Sequence, residues 1–213
     1  MTNKVTGIYE ILLAYYGDPR WWPADSPYEM IVGAILVQNT AWSNVEMAIA
    51  NFGGRLSPQF VADVDMEELK EIIRPAGFFN QKAPCIKAVT AWFGMYGYDA
   101  VLARKQSPDS LRAELLAIKG IGNETADCIL LYAFDMPTFV IDAYTMRLCG
   151  RFPLEAGTDY MSAKAYFESN LPKCAKIYNN YHALLVLNGK AHCRKRANCG
   201  GCPLEAICAK RGV

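Results

Sequence analysis

The sequence predicts an all-α fold, and three observations support this. Apolar residues recur at helical spacing along most of the 213-residue chain. Alternation of apolar and polar residues, which would indicate half-buried strands, is scarce. Residues that favour helix starts precede several of the apolar segments. No apolar run approaches the roughly 20 residues of a membrane span and no signal-peptide pattern opens the chain, so we expect a cytoplasmic protein.

The first predicted helices lie in the N-terminal half. Residues 28–38 are almost all apolar and predict a buried helix, after which Thr40 would cap residues 41–52. Asp65, with Glu68 three residues later, forms a capping-box pattern before the next apolar segment.

The remaining helices are predicted in the same way. Asn80 would open residues 81–97, with Pro84 in the first turn, where a proline is tolerated. Either Asp109 or Ser110 would open the next helix. Four more helical segments follow, at residues 123–134, 142–152, 159–171 and 173–190.

Charge is distributed unevenly along the chain. The net charge is +1, yet six basic residues stand against Glu205 alone between Lys190 and Val213. A basic end on a mildly acidic body indicates nucleic-acid binding, although a solvated tail would show the same pattern. The candidate contacts are the basic run Arg194, Lys195 and Arg196.

The eight cysteines fall into two groups. Four are scattered through helical segments, where cysteine is usually a small buried hydrophobe. The other four follow a C-x5-C-x2-C-x5-C pattern, which favours metal ligation over disulfides or free thiols in a chain without an export signal. Four thiolates bind either zinc or an iron–sulfur cluster, and the single compact loop favours a [4Fe–4S] cluster. The candidate ligands are Cys193, Cys199, Cys202 and Cys208.

A glycine turn, Lys119-Gly120-Ile121-Gly122, separates two helical segments. Glycines permit positive φ and close approach of the backbone, and the N–H groups at the start of the following helix can bind a phosphate without reading sequence. An ordinary helix connection would show the same pattern.

About twenty residues later, Asp142 precedes a helical segment, where it is expected to be the N-cap. A capping carboxylate can still face a substrate.

These motifs, taken together and in this order, resemble the helix–hairpin–helix DNA glycosylases of the endonuclease III superfamily. The resemblance rests on the glycine turn, on Asp142, on the four-cysteine loop and on residues 31–40. It implies two helical domains flanking a DNA-binding cleft: residues 24–136, ending in the hairpin, and residues 1–23 together with 137–213, carrying the iron–sulfur loop. It also implies excision of a damaged base flipped out of double-stranded DNA by a monomeric, nucleoid-associated enzyme.

Glu124 occupies the position where bifunctional members of this family carry a lysine that forms a Schiff base. A glutamate cannot form an imine, and Lys119 is expected to contact phosphate. The resemblance therefore implies a monofunctional glycosylase without AP-lyase activity, in which Asp142 stabilises an oxocarbenium-like cation or activates water. Glu124 would either line the base pocket or simply begin the helix.

Four stretches of the sequence, residues 21–23, residues 38–40, Trp42 and residues 74–83, resemble the 3-methyladenine DNA glycosylase subfamily. An alkylated purine carries positive charge and would gain cation–π attraction from indoles, so Trp21, Trp22 and Trp42 are candidates for the base pocket, with core packing as the alternative. Gln38 matches the family position that fills the gap left by the flipped nucleotide, and Asn39 lies beside it. The alternative substrates are uracil and thymine mismatched with guanine. The alternative class is a non-catalytic, lesion-sensing DNA-binding protein.

Overall fold

The computed structural model describes residues 3–19, 21 and 24–213. Every regular element in these residues is helical and none is a strand, which confirms the predicted fold class. The chain divides into two compact units, Met1–Trp21 with Pro137–Val213 and Trp22–Met136. Within the described part of the chain, no helix is both long enough and apolar enough to cross a membrane.

The unit Trp22–Met136 is organised around a buried helix, α2 (Pro27–Leu36), whose residues are all buried from Met30 onward. Such a helix is apolar all round and must be covered on every side. It packs against the third, sixth and ninth helices and against a π-helical turn, Ile129–Ala133. The other helices of this unit are α3 (Trp42–Asn51), α4 (Pro58–Asp63), α5 (Met66–Ile72), α6 (Phe79–Gly94), α7 (Ala100–Ala103), α8 (Pro108–Leu116) and α9 (Asn123–Cys128).

The second unit combines the N-terminal helix with the C-terminal part of the chain. Its long last helix packs against the first helix and against the helix that follows Asp142. The latter contact is close, because a Cβ atom at Gly189 would lie 2.3 Å from the ring of Tyr144. The helices are α1 (Lys4–Tyr16), α10 (Ala143–Arg151), α11 (Tyr160–Ser169) and α12 (Ala175–Ala191).

Three predicted helix starts are wrong by one to three residues. Asn80 lies inside α6, whose N-cap is Phe78. Ala41, rather than Thr40, is the N-cap of α3, and the Thr40 hydroxyl instead accepts a hydrogen bond from the Asn44 side chain at 2.8 Å. The N-cap of α8 is Ser107, which accepts a hydrogen bond from the backbone N–H of Ser110 at 3.1 Å. The serine hydroxyl can reach the third helical N–H group, which makes it a suitable cap.

Two further local expectations need correction. Pro84 lies inside α6 rather than in its first turn, because this helix begins at Phe79. Asp65 does cap α5, but by accepting a hydrogen bond from the N–H of Glu67 at 2.7 Å. The carboxylate of Glu68 pairs with Arg55 at 3.6 Å, so a contact distant in sequence replaces the expected capping box.

Candidate functional site

A hairpin joins α8 to α9 through a turn whose two glycines differ. Gly120 has a φ of +100°, and a Cβ atom there would lie 3.1 Å from the sulfur of the buried Cys85. Gly122 has a φ of −98°, and a Cβ atom there would meet nothing within 4 Å. The left-handed backbone and the close approach suggested by the sequence therefore belong to Gly120.

The tip of the hairpin is exposed to solvent. Lys119, Gly120, Gly122 and Glu124 are exposed, whereas Ile121 is buried between the helices. Glu124 lies in the first turn of α9, where a carboxylate is favoured by the helix dipole. The side chains at this tip are thus few, and the backbone forms much of its surface.

A partly buried ion pair between Arg112 and Asp127 holds the two helices of the hairpin together. Arg112 of α8 donates from Nε to Oδ1 of Asp127 at 2.9 Å and from Nη2 to the side-chain oxygen of Asn123 at 2.8 Å. The side chain of Asp127 is fully buried and that of Arg112 is 16% exposed. Because both acceptors belong to α9, this one guanidinium fixes the two helices against each other.

Gln38 connects the end of α2 to the hairpin. Its side-chain nitrogen donates to the carbonyl oxygen of Gly120 at 3.0 Å and to the hydroxyl of Thr125 at 2.8 Å. An amide nitrogen has two hydrogens, so both are used by the hairpin. Gln38, predicted from the sequence as a DNA contact, therefore also supports the turn. Asn39 follows it, exposed and with a φ of +54°.

A buried lysine, which the sequence analysis did not single out, anchors the same end of α2. The amine of Lys82 donates to the carbonyl oxygens of Leu36 and Ala76, each at 2.8 Å. Burial lowers the pKa of Lys82 to about 8. Local sequence did not indicate this role, since its two partners lie on other segments of the chain.

Asp142 is the N-cap of α10, as the sequence predicts for its position before a helix. Its Oδ1 accepts hydrogen bonds from the Thr145 backbone N–H at 2.7 Å and from the Thr145 hydroxyl at 2.8 Å. Its Oδ2 lies 3.6 Å from Nε2 of His182, on α12. Burial acts to raise the pKa of this carboxyl, but His182 and the two Thr145 hydrogen bonds outweigh it and lower the pKa below its usual value. Asp142 is therefore a buried, ionised carboxylate.

Trp42 forms part of a pocket between α2 and α3. The residue is half-buried, and Glu29 and Glu46 line the same pocket together with apolar side chains. Burial raises the pKa of Glu29. The pocket thus combines an aromatic ring with two carboxylates, which are groups that attract flat or positively charged molecules.

The other two candidate tryptophans are described unequally. Trp21 belongs to the other compact unit, where its half-buried ring has the Lys190 amine 5.7 Å from its centroid. Trp22 lies outside the described residues. Of the three tryptophans predicted for the base pocket, the structure thus describes the surroundings of Trp21 and Trp42.

All four clustered cysteines line one cavity, beside Arg151 and Asn188. Nη1 of Arg151 donates to the sulfur of Cys193 at 3.2 Å, and the backbone N–H of Lys210 donates to the sulfur of Cys208 at 3.4 Å. Within residues 3–19, 21 and 24–213, no three acidic, histidine or cysteine side chains are arranged around a single metal ion. Four thiols with N–H donors directed at sulfur nevertheless match the donor set of an iron–sulfur cluster.

The beginning of the cysteine loop is held by two arginines of α10. Arg147 donates to the carbonyl oxygen of Cys193 at 2.7 Å, and Arg151 donates to those of Arg194 at 2.7 Å and Lys195 at 2.9 Å. The side chains of Arg194, Lys195 and Arg196 are exposed. The side chains of the basic run therefore project outward, while the guanidinium groups of Arg147 and Arg151 fix the backbone at its start.

Three of the other four cysteines are buried, as the sequence predicts. Cys85, Cys128 and Cys149 are buried and Cys174 is half-buried. Burial raises the pKa values of Cys85 and Cys149 to about 11. These two thiols are therefore protonated at neutral pH and act as small apolar side chains.

Comparison with known proteins identifies the family. A family model described as the HhH-GPD superfamily base excision DNA repair protein matches residues 32–173. The chain belongs to this superfamily. The match includes the hairpin and Asp142, and it confirms the family inferred from the sequence motifs. This HhH-GPD protein is accordingly a DNA repair glycosylase related to endonuclease III.

Individual relatives resemble most of the chain. A putative DNA repair glycosylase of Methanocaldococcus jannaschii is 49% identical over 210 residues, which cover 96% of this chain and 95% of the relative. A 3-methyladenine DNA glycosylase of H. pylori, MagIII, bound to 1,N6-ethenoadenine, has a TM-score of 0.78 at 25% identity and covers 88% of this chain and 98% of its own. A non-covalent endonuclease III–DNA complex has a TM-score of 0.82 at 20% identity, with coverage of 99% and 96%, and supports the fold alone.

Proposed function

We propose that this HhH-GPD protein is a monofunctional DNA glycosylase, which uses water to release a damaged base from double-stranded DNA in the cytoplasm. The observation that carries the proposal is Asp142, a buried and ionised carboxylate with one oxygen engaged in capping α10. Such a group can stabilise a positive charge that develops next to it.

DNA binding is assigned to backbone and basic groups. The exposed hairpin tip offers amide groups and Lys119 to phosphates, and Arg194, Lys195 and Arg196 add a sequence-independent attraction. The hairpin and Asp142 belong to different compact units, so the proposal requires both units to contact the same DNA. Gln38 supports the hairpin and, with Asn39, is assigned to the DNA surface.

The proposed chemistry breaks the bond between C1′ of the sugar and the nitrogen of the base. The bond's electron pair leaves with the base, and positive charge develops on the sugar. Asp142 stabilises this charge, and a water molecule then bonds to C1′ and loses its proton to the carboxylate or to the departing base. Glu124 has no amine to form an imine, so the product is an intact strand with an abasic site.

The proposed substrate is an alkylated purine such as 3-methyladenine. The support is the pocket at Trp42, which combines an aromatic ring with Glu29 and Glu46, because an N-alkylated purine is positively charged and normal bases are not. The similarity to MagIII is consistent with this choice. Trp21 and Trp22 are assigned to the same recognition, and Glu124 to its edge.

The experiment is an excision assay on duplexes containing 3-methyladenine, 7-methylguanine, hypoxanthine, uracil or thymine opposite guanine. We expect fastest release of 3-methyladenine, and borohydride should trap no covalent protein–DNA complex. Preferential release of uracil or mismatched thymine would contradict the alkylpurine assignment but would support the assignment of the protein as a glycosylase. Efficient trapping would contradict the monofunctional assignment. Binding without release from any duplex would indicate a lesion-sensing protein.

We further propose that Cys193, Cys199, Cys202 and Cys208 hold a [4Fe–4S] cluster. When bound, the cluster would crosslink the loop that carries the basic run and would supply no step of the reaction. The purified protein should show a broad visible absorbance band and about four iron atoms per chain. Cys199→Ser should lose the iron, whereas the matched control Cys174→Ser should keep it. A colourless protein loaded with zinc would overturn the assignment.

A further inference from the structure

A buried histidine faces the carboxylate assigned to catalysis. His182 is 4% exposed and lies on α12, where the next three residues, Ala183, Leu184 and Leu185, are also buried. Its Nε2 is 3.6 Å from Oδ2 of Asp142. The contact joins α12 to the N-terminus of α10, two helices that pack together. A buried imidazole is stable only with polar partners, and Asp142 is one of them.

The two oxygens of Asp142 have different surroundings. Oδ1 accepts both hydrogen bonds from Thr145, which are 2.7 and 2.8 Å long. A carboxylate oxygen has about two lone-pair sites, so the bonds to Thr145 saturate Oδ1. Oδ2 is therefore the oxygen left for the reaction, and it is the one that His182 faces.

We propose that His182 is a positioning residue that holds Oδ2 of Asp142 in place beside the sugar on which positive charge develops. The inference rests on the proposed glycosylase function. With its hydrogen on Nε2, the imidazole points a donor toward one lone pair of Oδ2 and leaves the other for the sugar or for water. The separation of 3.6 Å is longer than a hydrogen bond but within the distance of an ion pair.

The alternative is that His182 only fills space in the helix interface. The two roles differ in what a substitution should change. A space-filling residue is replaced by an apolar residue of similar size with little effect on Asp142, whereas a positioning residue is replaced only by one that keeps a donor at the same place. Gln can bring its side-chain nitrogen near the position of Nε2, and Met has similar length without a donor.

The experiment compares His182→Gln with His182→Met in the full chain. Single-turnover base excision should fall about 10- to 100-fold in His182→Met and stay within about 5-fold of the natural protein in His182→Gln. Affinity for a duplex with an abasic site and the thermal midpoint should be nearly equal in the two variants. Equal rates in both variants would overturn the proposal, as would losses that follow the thermal midpoint.

A second measurement does not depend on enzymatic activity. In protein labelled with ¹³C at aspartate, the side-chain carbon of Asp142 is followed during a pH titration. The pKa of Asp142 should rise in His182→Met and stay low in His182→Gln. An unchanged pKa in both variants would overturn the positioning role. If the natural protein releases no base, the proposed function fails, and this titration still decides whether His182 controls Asp142.

Discussion

The hairpin between α8 and α9 and the N-terminus of α10 present different kinds of atoms. The hairpin exposes backbone at Gly120 and Gly122. The side chain of Asp127, which pairs with Arg112 between its helices, is fully buried. At α10 the carboxylate of Asp142 is itself the group of interest, although only 9% of the residue is exposed. At the hairpin, therefore, the shape of the backbone matters most, and at α10 the identity of one side chain matters most.

The physical reason lies in the two tasks proposed for these sites. A phosphate contact must work on any sequence and in contact with water, and backbone amides held in a fixed turn meet both conditions. Stabilising a cation on the sugar requires a full negative charge in a site with little water, where electrostatic interactions are strong. Four predictions test this contrast, ordered from the largest expected effect to the smallest.

Asp142→Asn tests the side-chain half of the contrast and should have the largest effect. The substitution keeps an oxygen that can cap α10 but removes the charge, so base excision should fall about 10³-fold. Affinity for abasic-site DNA should be retained. The matched control is Asp159→Asn at the N-cap of α11, where the carboxylate accepts hydrogen bonds from the N–H groups of Met161 and Ser162. Excision by Asp142→Asn at the rate of this control would refute the catalytic assignment.

Arg112→Met tests whether the stability of the hairpin depends on the ion pair between Arg112 and Asp127. Removing the arginine leaves the charge of Asp127 buried without its guanidinium, which should lower the free energy of unfolding by about 3–5 kcal/mol. Denaturant unfolding measures this change. Arg104→Met, which removes the exposed pair with Asp135, should cost at most about 1 kcal/mol. Equal losses of unfolding free energy in the two variants would show that the pair between Arg112 and Asp127 contributes no more to stability than a surface ion pair.

Gly120→Ala and Gly122→Ala test the backbone half of the contrast directly. Alanine at position 120 must adopt a φ of +100° and approach the sulfur of Cys85 within 3.1 Å, which should cost about 1–3 kcal/mol or shift the turn. As a result, the Gly120→Ala variant should bind DNA more weakly, as measured by fluorescence anisotropy. Alanine at position 122 adopts an ordinary φ and meets no neighbour. Similar binding by both variants would mean that the turn geometry is not needed.

Lys119→Ala should have the smallest effect. An exposed lysine contributes one phosphate contact, so affinity should fall only a few-fold and the salt dependence of binding should decrease by about one ion. The exposed Lys105, in the loop after α7, provides the control as Lys105→Ala. A loss of more than about 100-fold for Lys119→Ala would show that this side chain, rather than the backbone, dominates the hairpin contact.

Features with local causes were predictable from the sequence. The glycine turn, the cap at Asp142 and the grouping of four cysteines each depend on residues within a short segment, and the structure contains the turn, the cap and the shared cavity. The roles assigned to these residues stay predictions. The local rules failed at Thr40, because Asn44 engages its hydroxyl.

Features with distant partners were not predictable. Arg112, Lys82 and His182 each act through groups that the fold brings close, such as the carbonyl oxygen of Leu36, which lies 46 residues from Lys82. Only His182, which precedes a run of apolar residues in α12, was marked by a local signal, since other polar residues lie close to Arg112 and Lys82 in their helices. That signal indicates that a partner exists but does not identify it.

Arg147 and Arg151 attach the beginning of the cysteine loop to α10 through hydrogen bonds that involve no metal. A newly synthesised chain can thus hold Cys193 and the basic run in position before any iron is inserted. If the proposed cluster is inserted, it would therefore close a loop whose first cysteine is already in place, and a shorter closure costs less entropy. Loss of the proposed cluster would correspondingly leave the backbone of Arg194 and Lys195 attached to α10.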